Sequence, residues 1–207
     1  MEKKHLVLAS GSPRRKELLS QLGYEFSVLV TDVEECKHAQ ETAEEYVKRL
    51  SLDKALAALS LLTTNPSEKQ HVASGSDTVV LGSDTLVLGS DTVVVSQGQV
   101  LEKPADFSDS KRMLTQLANG RHQVMTAVSV VSKEKQKTEI VITDVWFKPL
   151  SEKEIEQYWQ TGEPCDKAGS YGIQGLGGRF VTRIEGSYYA VVGLPLFETD
   201  QLLQEFL

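Results

Sequence analysis

One group of residues with the types and spacing for chemistry is Ala9-Ser-Gly-Ser-Pro-Arg-Arg15, between a short apolar run and a helical pattern. In a strand–turn–helix setting, free backbone N–H groups and the positive end of the helix dipole favour a phosphate group. Ser10 and Ser12 add hydroxyl groups, and Arg14 and Arg15 add permanent, forked positive charge. The segment predicts a phosphate site, and a capped surface helix with two solvated arginines is the structural alternative.

An aspartate and a lysine form a second group. Asp91 lies in Gly89-Ser-Asp-Thr92 beside a β-prone run, and Lys103 lies in Leu101-Glu-Lys-Pro104. An aspartate near a phosphate site can hold a metal ion or deprotonate water. A lysine can neutralise charge that develops on leaving phosphates. Considered alone, however, Gly-Ser-Asp is typical of a turn and Glu-Lys-Pro of a charged loop.

A third segment, Ala168-Gly-Ser-Tyr-Gly-Ile-Gln-Gly175, is rich in glycine. Glycines let the backbone approach a ligand closely, and the amide of Gln174 offers a donor and an acceptor for the edge of a base. An irregular surface loop without a ligand is the alternative interpretation.

Residues 75–95 contain three near-identical seven-residue units that carry Asp77, Asp84 and Asp91. In one strand they would span about 66 Å at roughly 3.3 Å per residue, whereas a chain of this length has a radius of gyration of roughly 17 Å. The hypothesis is that residues 75–88 are an insertion, extruded as a loop or an extra hairpin. The hydrophobic residues 86–88 before Asp91 favour this aspartate for the functional position, and Asp77 in that position is the alternative.

Alternating strand and helix patterns must position these groups. The predicted strands span 5–9, 24–30, 122–131, 139–147, 180–184 and 188–192. The predicted helices begin after Ser12, at Thr42, at Ser108, after Ser151 and at Pro195. Gln97-Gly98 has the composition of a hairpin turn. The alternation indicates an α/β fold, and adjacent strand pairs in the second half indicate a mixed sheet.

Composition narrows the classes of function. The 207 residues carry a net charge of −7, which disfavours binding of a nucleic-acid polymer because such binding needs a broad basic surface. Cys36 and Cys165 have no metal-ligand spacing to a partner, so a reduced protein of the cytoplasm is expected. The apolar run at 6–9 is too short for a membrane span or a signal-peptide core, so no membrane association is expected.

Taken together, these segments resemble the Maf family of nucleotide pyrophosphatases. The matching segments run in the family's order along nearly the whole chain: Leu8–Arg15, Glu34-Glu35, Lys54-Ala55, Gly89–Thr92, Leu101–Pro104, His122–Thr126, Asp166–Gly175, Gly186–Tyr188 and Val192–Pro195. Each is weak alone, but the ordered set is specific. The family has one Gly-(Ser/Ala)-Asp-Thr element, and only the unit of Asp91 stands at the family's spacing from Lys103.

The resemblance implies a single domain over residues 1–207, with an elongated mixed sheet flanked by helices, two lobes and a central cleft, as in inosine-triphosphate pyrophosphatases. It implies water attack at the α-phosphorus of dTTP or UTP, releasing the monophosphate and pyrophosphate, with Mg²⁺ or Mn²⁺ as cofactor and a homodimer as the assembly. Asp91 would be catalytic, and Glu35 and Asp91 would hold the metal. The substrate-binding residues would be Ser10, Ser12, Arg14, Arg15, Lys54, Thr92, Lys103 and Gln174.

Two other functions stay open at this point. Arg14, Thr92 and Gln174 match the subgroup resembling dTTP/UTP pyrophosphatases, whereas the 7-methyl-GTP subgroup typically has Trp in place of Arg14. A pyrophosphatase for 7-methyl-GTP or for non-standard purine nucleotides is therefore the nearest alternative. A non-enzymatic, nucleotide-binding regulator of septum formation is the other. A P-loop enzyme is excluded because the chain lacks GxxxxGK[ST].

Overall fold

The computed structural model describes residues 4–64 and 85–207. The strands are β1 (His5–Leu8), β2 (Phe26–Val28), β3 (Thr85–Ser96), β4 (Gln99–Leu101), β5 (Arg121–Val131), β6 (Gln136–Phe147) and β7 (Val181–Glu185). The α-helices are α1 (Pro13–Gln21), α2 (Ala43–Thr64), α3 (Phe107–Leu117), α4 (Glu152–Gln160), α5 (Tyr188–Val192) and α6 (Leu196–Gln204). Short 3₁₀ turns fill much of 163–180.

The strands form one sheet in the order β2-β1-β3-β5-β6-β7, with β4 also paired to β3. β1 runs parallel to β2 and β3, whereas the β3–β4 and β6–β7 pairs are antiparallel. Parallel pairs need a crossover connection, which α1 and α2 supply, whereas antiparallel neighbours need only a turn. The predicted α/β fold with a mixed sheet flanked by helices is confirmed.

The chain divides into two compact units. The first contains Met1–Asp91, Ala127–Ile140 and Gly193–Leu207. Its core lies between β1, β3 and the apolar side of α2, and includes Val7, Ala55, Ala58 and Val87. A capping box starts α2, because Thr42 and Glu45 exchange side-chain and backbone hydrogen bonds. The predicted helix start at Thr42 is confirmed.

The second unit contains Thr92–Thr126 and Val141–Val192. Its core is rich in aromatic rings, which meet edge to face: Phe147, Tyr158, Tyr171 and Phe180. The hairpin predicted at Gln97-Gly98 is confirmed, since both residues have positive φ and Ser96 pairs with Gln99.

The strand predicted at 188–192 is wrong, because these residues form α5. The backbone N–H of Ala190 donates to Ser187 Oγ at 3.2 Å, and Val191 N–H donates to the Ser187 carbonyl. Ser187 therefore caps a helical turn, and Gly193 with a φ of 128° follows it. A five-residue apolar run has no length to distinguish a strand from a helical turn by periodicity.

The last four residues of the proposed insertion at 75–88 are not extruded. Thr85–Leu88 form the start of β3, in parallel register with His5–Leu8 of β1. Leu86, Val87 and Leu88 are almost completely buried there, so their apolar surface is removed from water by the sheet. Residues 75–84, which include Asp77 and Asp84, lie outside the described residues. Across residues 4–64 and 85–207, no helix is long and apolar enough to cross a membrane.

Candidate active site

The loop between β1 and α1 is held by its own serines. Ser10 Oγ accepts a hydrogen bond from the Ser12 backbone N–H at 3.2 Å. Ser12 is the N-cap of α1, and its Oγ accepts from the Arg15 N–H at 3.4 Å. Accepting these bonds uses oxygen lone pairs, so each hydroxyl can still donate its own proton to a ligand. The predicted strand–turn–helix setting is confirmed.

The Arg15 side chain turns back onto this loop. Its Nε donates to the Gly193 carbonyl at 2.9 Å, and one terminal nitrogen lies 3.4 Å from Ser10 Oγ. Burial lowers the pKa of Arg15 and the nearby Arg14 adds to this, while the charges of Asp91 and Glu35 raise it. Arg14, Glu35 and Asp91 therefore lie within electrostatic range of the Arg15 guanidinium.

Lys54 on α2 joins two carboxylates. Its Nζ lies 2.6 Å from Asp91 Oδ1 on β3 and 2.6 Å from Glu35 Oε1 in the segment before α2. The lysine and aspartate side chains are only 12% and 10% exposed, whereas that of Glu35 is 41% exposed. The two contacting oxygens cannot be farther apart than twice 2.6 Å. A single ammonium thus holds two carboxylates close together beside Arg15.

Gly89 allows this contact between α2 and β3. A Cβ at this position would lie 2.2 Å from the Ser51 carbonyl oxygen and 2.9 Å from the Ala55 nitrogen. Ser51 Oγ also donates to the Gly89 carbonyl at 3.2 Å, and lies 2.8 Å from Ser129 Oγ. The helix backbone rests on the strand backbone here, one turn from Lys54 and two residues before Asp91.

The Glu35 segment has no regular structure but is tied to α2 by its backbone. Tyr46 Oη donates to the Glu35 carbonyl at 3.0 Å, and Arg49 donates to the Cys36 carbonyl at 2.9 Å. Arg49 is itself fixed by a bidentate pair with Glu41, at 2.7 and 2.9 Å. These bonds attach the backbone around Glu35 to α2, the helix that also carries Lys54.

In the second unit, the Thr92 hydroxyl takes part in a chain of hydrogen bonds. Thr126 Oγ1 donates to the Ala190 carbonyl at 2.6 Å and lies 3.0 Å from Thr92 Oγ1. Thr126 has one hydroxyl proton, so Thr92 must donate to Thr126. The proton of Thr92 is therefore used inside the protein in this arrangement. A contact of Thr92 with substrate stays a prediction.

The second unit also brings together the segments of Lys103 and Gln174. Gly169 N–H donates to the Glu102 carbonyl at 3.1 Å. Gly169 has a φ of 66°, and a Cβ there would lie 2.8 Å from Val94 Cγ2. Lys103 and Gln174 are both exposed. The start of the glycine-rich segment thus lies against the segment that carries Lys103.

Comparisons with known proteins assign the chain to a family. The family of Maf-like proteins matches residues 5–206 of the chain. The chain belongs to the Maf family. The predicted resemblance is confirmed over nearly the whole sequence.

Three relatives of this Maf-family chain carry the same name. A dTTP/UTP pyrophosphatase of Vibrio parahaemolyticus is 67% identical over 202 residues, covering 98% of this chain and 97% of the relative. One from Vibrio cholerae is 60% identical, covering 97% of each, and one from Saccharophagus degradans is 49% identical, covering 97% of this chain and 88% of the relative. A solved structure, the Staphylococcus aureus Ham1 protein, is similar with a TM-score of 0.45 and 16% identity, covering 70% of this chain and 72% of that one.

The carboxylates of the Maf-family chain fit a divalent cation whose remaining ligands are water and substrate oxygens. Glu35 and Asp91 place two carboxylates on one ammonium. Mg²⁺ is usually held by one or two carboxylates, with water and substrate phosphates completing the shell. Among residues 4–64 and 85–207, no cluster of three or more His, Cys, Asp or Glu could hold a metal by itself. The fit therefore depends on phosphate oxygens as further ligands.

Seven of the predicted site residues belong to the first unit: Ser10, Ser12, Arg14, Arg15, Glu35, Lys54 and Asp91. The sequence did not predict the residues that support them. Ser51 was the detectable one, since a small polar residue on the apolar side of α2, three positions before Lys54, needs a polar partner. Gly193 acts through its carbonyl oxygen, which accepts from Arg15 and also from Ser90 at 3.2 Å. No side-chain signal could reveal that role.

Proposed function

We propose that this chain is a nucleoside triphosphate pyrophosphatase that hydrolyses dTTP and UTP to the monophosphate and pyrophosphate. Its close relatives are named dTTP/UTP pyrophosphatases and align with nearly all of it. The observation that supports this function most directly is that Lys54 Nζ lies 2.6 Å from both Glu35 and Asp91. These residues belong to the unit that also contains the Ser10–Arg15 loop. Cation, carboxylates and helix N-terminus together suit a substrate with several phosphates.

Each residue has a role that follows from its chemistry. Ser10, Ser12 and the N–H groups at the start of α1 donate to phosphate oxygens, and Arg14 and Arg15 offset phosphate charge. Asp91 orients the attacking water and accepts its proton, so the new bond forms at the α-phosphorus and pyrophosphate leaves. Lys54 limits the repulsion between the two carboxylates and the phosphates. Thr92, Lys103 and Gln174 complete the substrate contacts.

The cofactor follows from the same residues. Glu35 and Asp91 would hold Mg²⁺ or Mn²⁺, which when bound would offset the negative charge of the triphosphate. The substrate is a small nucleotide rather than a nucleic-acid polymer, in keeping with the acidic chain. We also infer that residues 1–207 act as one functional domain, because the family match at 5–206 includes both units. We propose the cytoplasm as its location, since its two cysteines are free thiols. A homodimer is the assembly we propose.

The test is product analysis on a panel of nucleotides. The purified chain is incubated with dTTP, UTP, CTP, GTP and 7-methyl-GTP, each with Mg²⁺, with Mn²⁺ and with EDTA, and the products are resolved by chromatography. Asp91→Asn is nearly isosteric and removes the carboxylate charge. Asp53→Asn on α2 is the matched control, since Asp53 is a neighbour of Lys54 in sequence but pairs with Arg49 instead.

The proposal expects monophosphate and pyrophosphate from dTTP and UTP, dependence on the metal, and loss of activity in Asp91→Asn but not in Asp53→Asn. Faster turnover of 7-methyl-GTP or GTP would replace the substrate with a purine. Diphosphate and phosphate as products would contradict attack at the α-phosphorus. A folded wild type that binds UTP in calorimetry but hydrolyses none of the panel would favour the non-enzymatic regulator.

A further inference from the structure

Glu163 lies just after α4 and makes three hydrogen bonds through its carboxylate. Tyr158 Oη donates to Oε1 at 2.7 Å. The backbone N–H of Gly177 donates to the same oxygen at 3.0 Å, and the N–H of Leu176 donates to Oε2 at 2.8 Å. Two of the three donors are consecutive backbone amides that follow Gln174 and Gly175. The carboxylate thus fixes the chain on the C-terminal side of Gln174.

Tyr158 fixes the chain on the other side of Gln174. The backbone N–H of Gly172 donates to Tyr158 Oη at 3.1 Å, while the same hydroxyl donates its proton to Glu163. Tyr158 is completely buried and meets Phe180 edge to face, so its ring cannot shift without disturbing the core. Gln174 is therefore carried by a short loop whose two ends are tied to the buried Tyr158 and to Glu163, its hydrogen-bond partner.

The glycines of this loop explain why the pair can hold it so closely. A Cβ at Gly175 would lie 2.4 Å from Glu163 Oε2, and one at Gly177 would lie 2.6 Å from Tyr158 Oη. A third, at Gly178, would lie 2.4 Å from the Ile173 carbonyl oxygen. Side chains at these positions would force the loop away from Glu163 and Tyr158. The glycine-rich pattern thus serves contact with Glu163 and Tyr158 as well as any approach to a ligand.

We propose that Glu163 is a positioning residue for base recognition, which acts by holding the backbone on both sides of Gln174. This inference rests on the proposed function, in which the Gln174 amide reads the nucleotide base. An exposed glutamine on a glycine-rich loop has many conformations, and a base contact is specific only when the backbone that carries it is held in place. Glu163 does not touch the substrate in this role.

The test compares a ligand with a base and one without. The KM for UTP depends on base and phosphate contacts, whereas inhibition by inorganic tripolyphosphate depends on phosphate contacts alone. The variants are Glu163→Gln, Gln174→Ala and the double variant, with Glu156→Gln as a matched control on the exposed side of α4. Tyr158→Phe removes the two bonds made by Tyr158 Oη but keeps both amide bonds to Glu163, and serves as a milder variant. Amide hydrogen exchange at Leu176 and Gly177 reports on the loop without any need for activity.

We expect Glu163→Gln to raise the KM for UTP about tenfold, which is the low end for a lost hydrogen bond to a charged group, because the amide has no charge and only one acceptor oxygen. Tripolyphosphate inhibition and kcat should stay unchanged, exchange at both amides should accelerate, and Gln174→Ala should add little to Glu163→Gln because both act through one contact. Glu156→Gln should resemble the wild type. Tyr158→Phe should shift the KM in the same direction by less.

The inference is overturned if the KM for UTP and tripolyphosphate inhibition worsen together, since that indicates a general structural role. It is also overturned if the effects of Glu163→Gln and Gln174→Ala multiply, or if amide exchange does not change. A wild type without UTP hydrolysis would reject the proposed function instead. In that case UTP and tripolyphosphate affinities from calorimetry replace the kinetic constants in the same comparison and decide the inference.

Discussion

Replacing Gly89 with alanine should separate α2 from β3 at the candidate active site. The added Cβ would lie 2.2 Å from the Ser51 carbonyl oxygen, 2.9 Å from the Ala55 nitrogen and 3.0 Å from the Ala55 Cβ. All three atoms belong to the backbone or to a Cβ, so no side-chain rotation can relieve the contact. The helix must move away from the strand by roughly 1 Å to restore ordinary contact distances.

The magnitude follows from that displacement. Overfilling a close-packed core costs about 1–3 kcal/mol, and the upper end applies because backbone atoms are involved. For a chain of this size, a loss of about 3 kcal/mol lowers Tm by roughly 6–12 °C. The 2.6 Å contact between Lys54 and Asp91 would stretch beyond direct hydrogen-bond range. A misplacement of roughly 1 Å can reduce turnover about a hundredfold.

The assay pairs thermal unfolding with kcat/KM for UTP, and the control is Gly120→Ala. A Cβ at Gly120 would have its nearest neighbours at 3.6 and 3.7 Å, which is ordinary contact. Both substitutions restrict the unfolded chain equally, so their difference isolates the close approach of α2 and β3. Equal Tm values for the two variants would refute the reasoning. So would a destabilised Gly89→Ala protein that kept full activity at a temperature where it is folded.

Two further predictions concern charge in the first unit. Lys54→Met should lower kcat/KM about a hundredfold or more, because Glu35 and Asp91 would then face the phosphates without their shared cation; activity within threefold of wild type would contradict the role of Lys54. The bidentate bond from Arg49 lowers the pKa of Glu41 from 4.5 to about 2. The stability from this pair is therefore complete above pH 4.5 and is lost as pH falls towards 2, and Arg49→Met should return the Glu41 pKa towards 4.5 in an NMR titration. An unchanged Glu41 titration in that variant would exclude Arg49 as the cause.

Local signals in the sequence predicted most of the elements correctly. The predicted helix starts at Ser12-Pro13, Thr42 and Ser151 and the predicted turn at Gln97-Gly98 depend on residues within a few positions of one another. The turn of helix at Tyr188–Val192 was missed because a short apolar run has no period of its own. Its helical state depends on the Ser187 cap and on the glycines at 186 and 193.

For the candidate site, too, some features could be predicted from the sequence and others could not. The sequence by itself predicted a phosphate site in the loop after β1 and the acidic and basic residues of the site, because hydroxyl, guanidinium and carboxylate groups are properties of the residue types themselves. It could not determine that one lysine holds two carboxylates, since Glu35, Lys54 and Asp91 come from a loop, a helix and a strand. Their meeting depends on how closely α2 approaches β3, which Gly89 and Ser51 set.

The role proposed for Glu163 also could not be predicted from the sequence. In the sequence it is an ordinary acidic residue before a proline, 11 positions from Gln174. Only the tertiary structure places its carboxylate against the amides of Leu176 and Gly177 and the hydroxyl of Tyr158. The chemistry of a residue follows from its own type, whereas the distance between groups far apart in the chain depends on how the whole core between them packs. Tertiary structure therefore decided which of the many polar residues support the site.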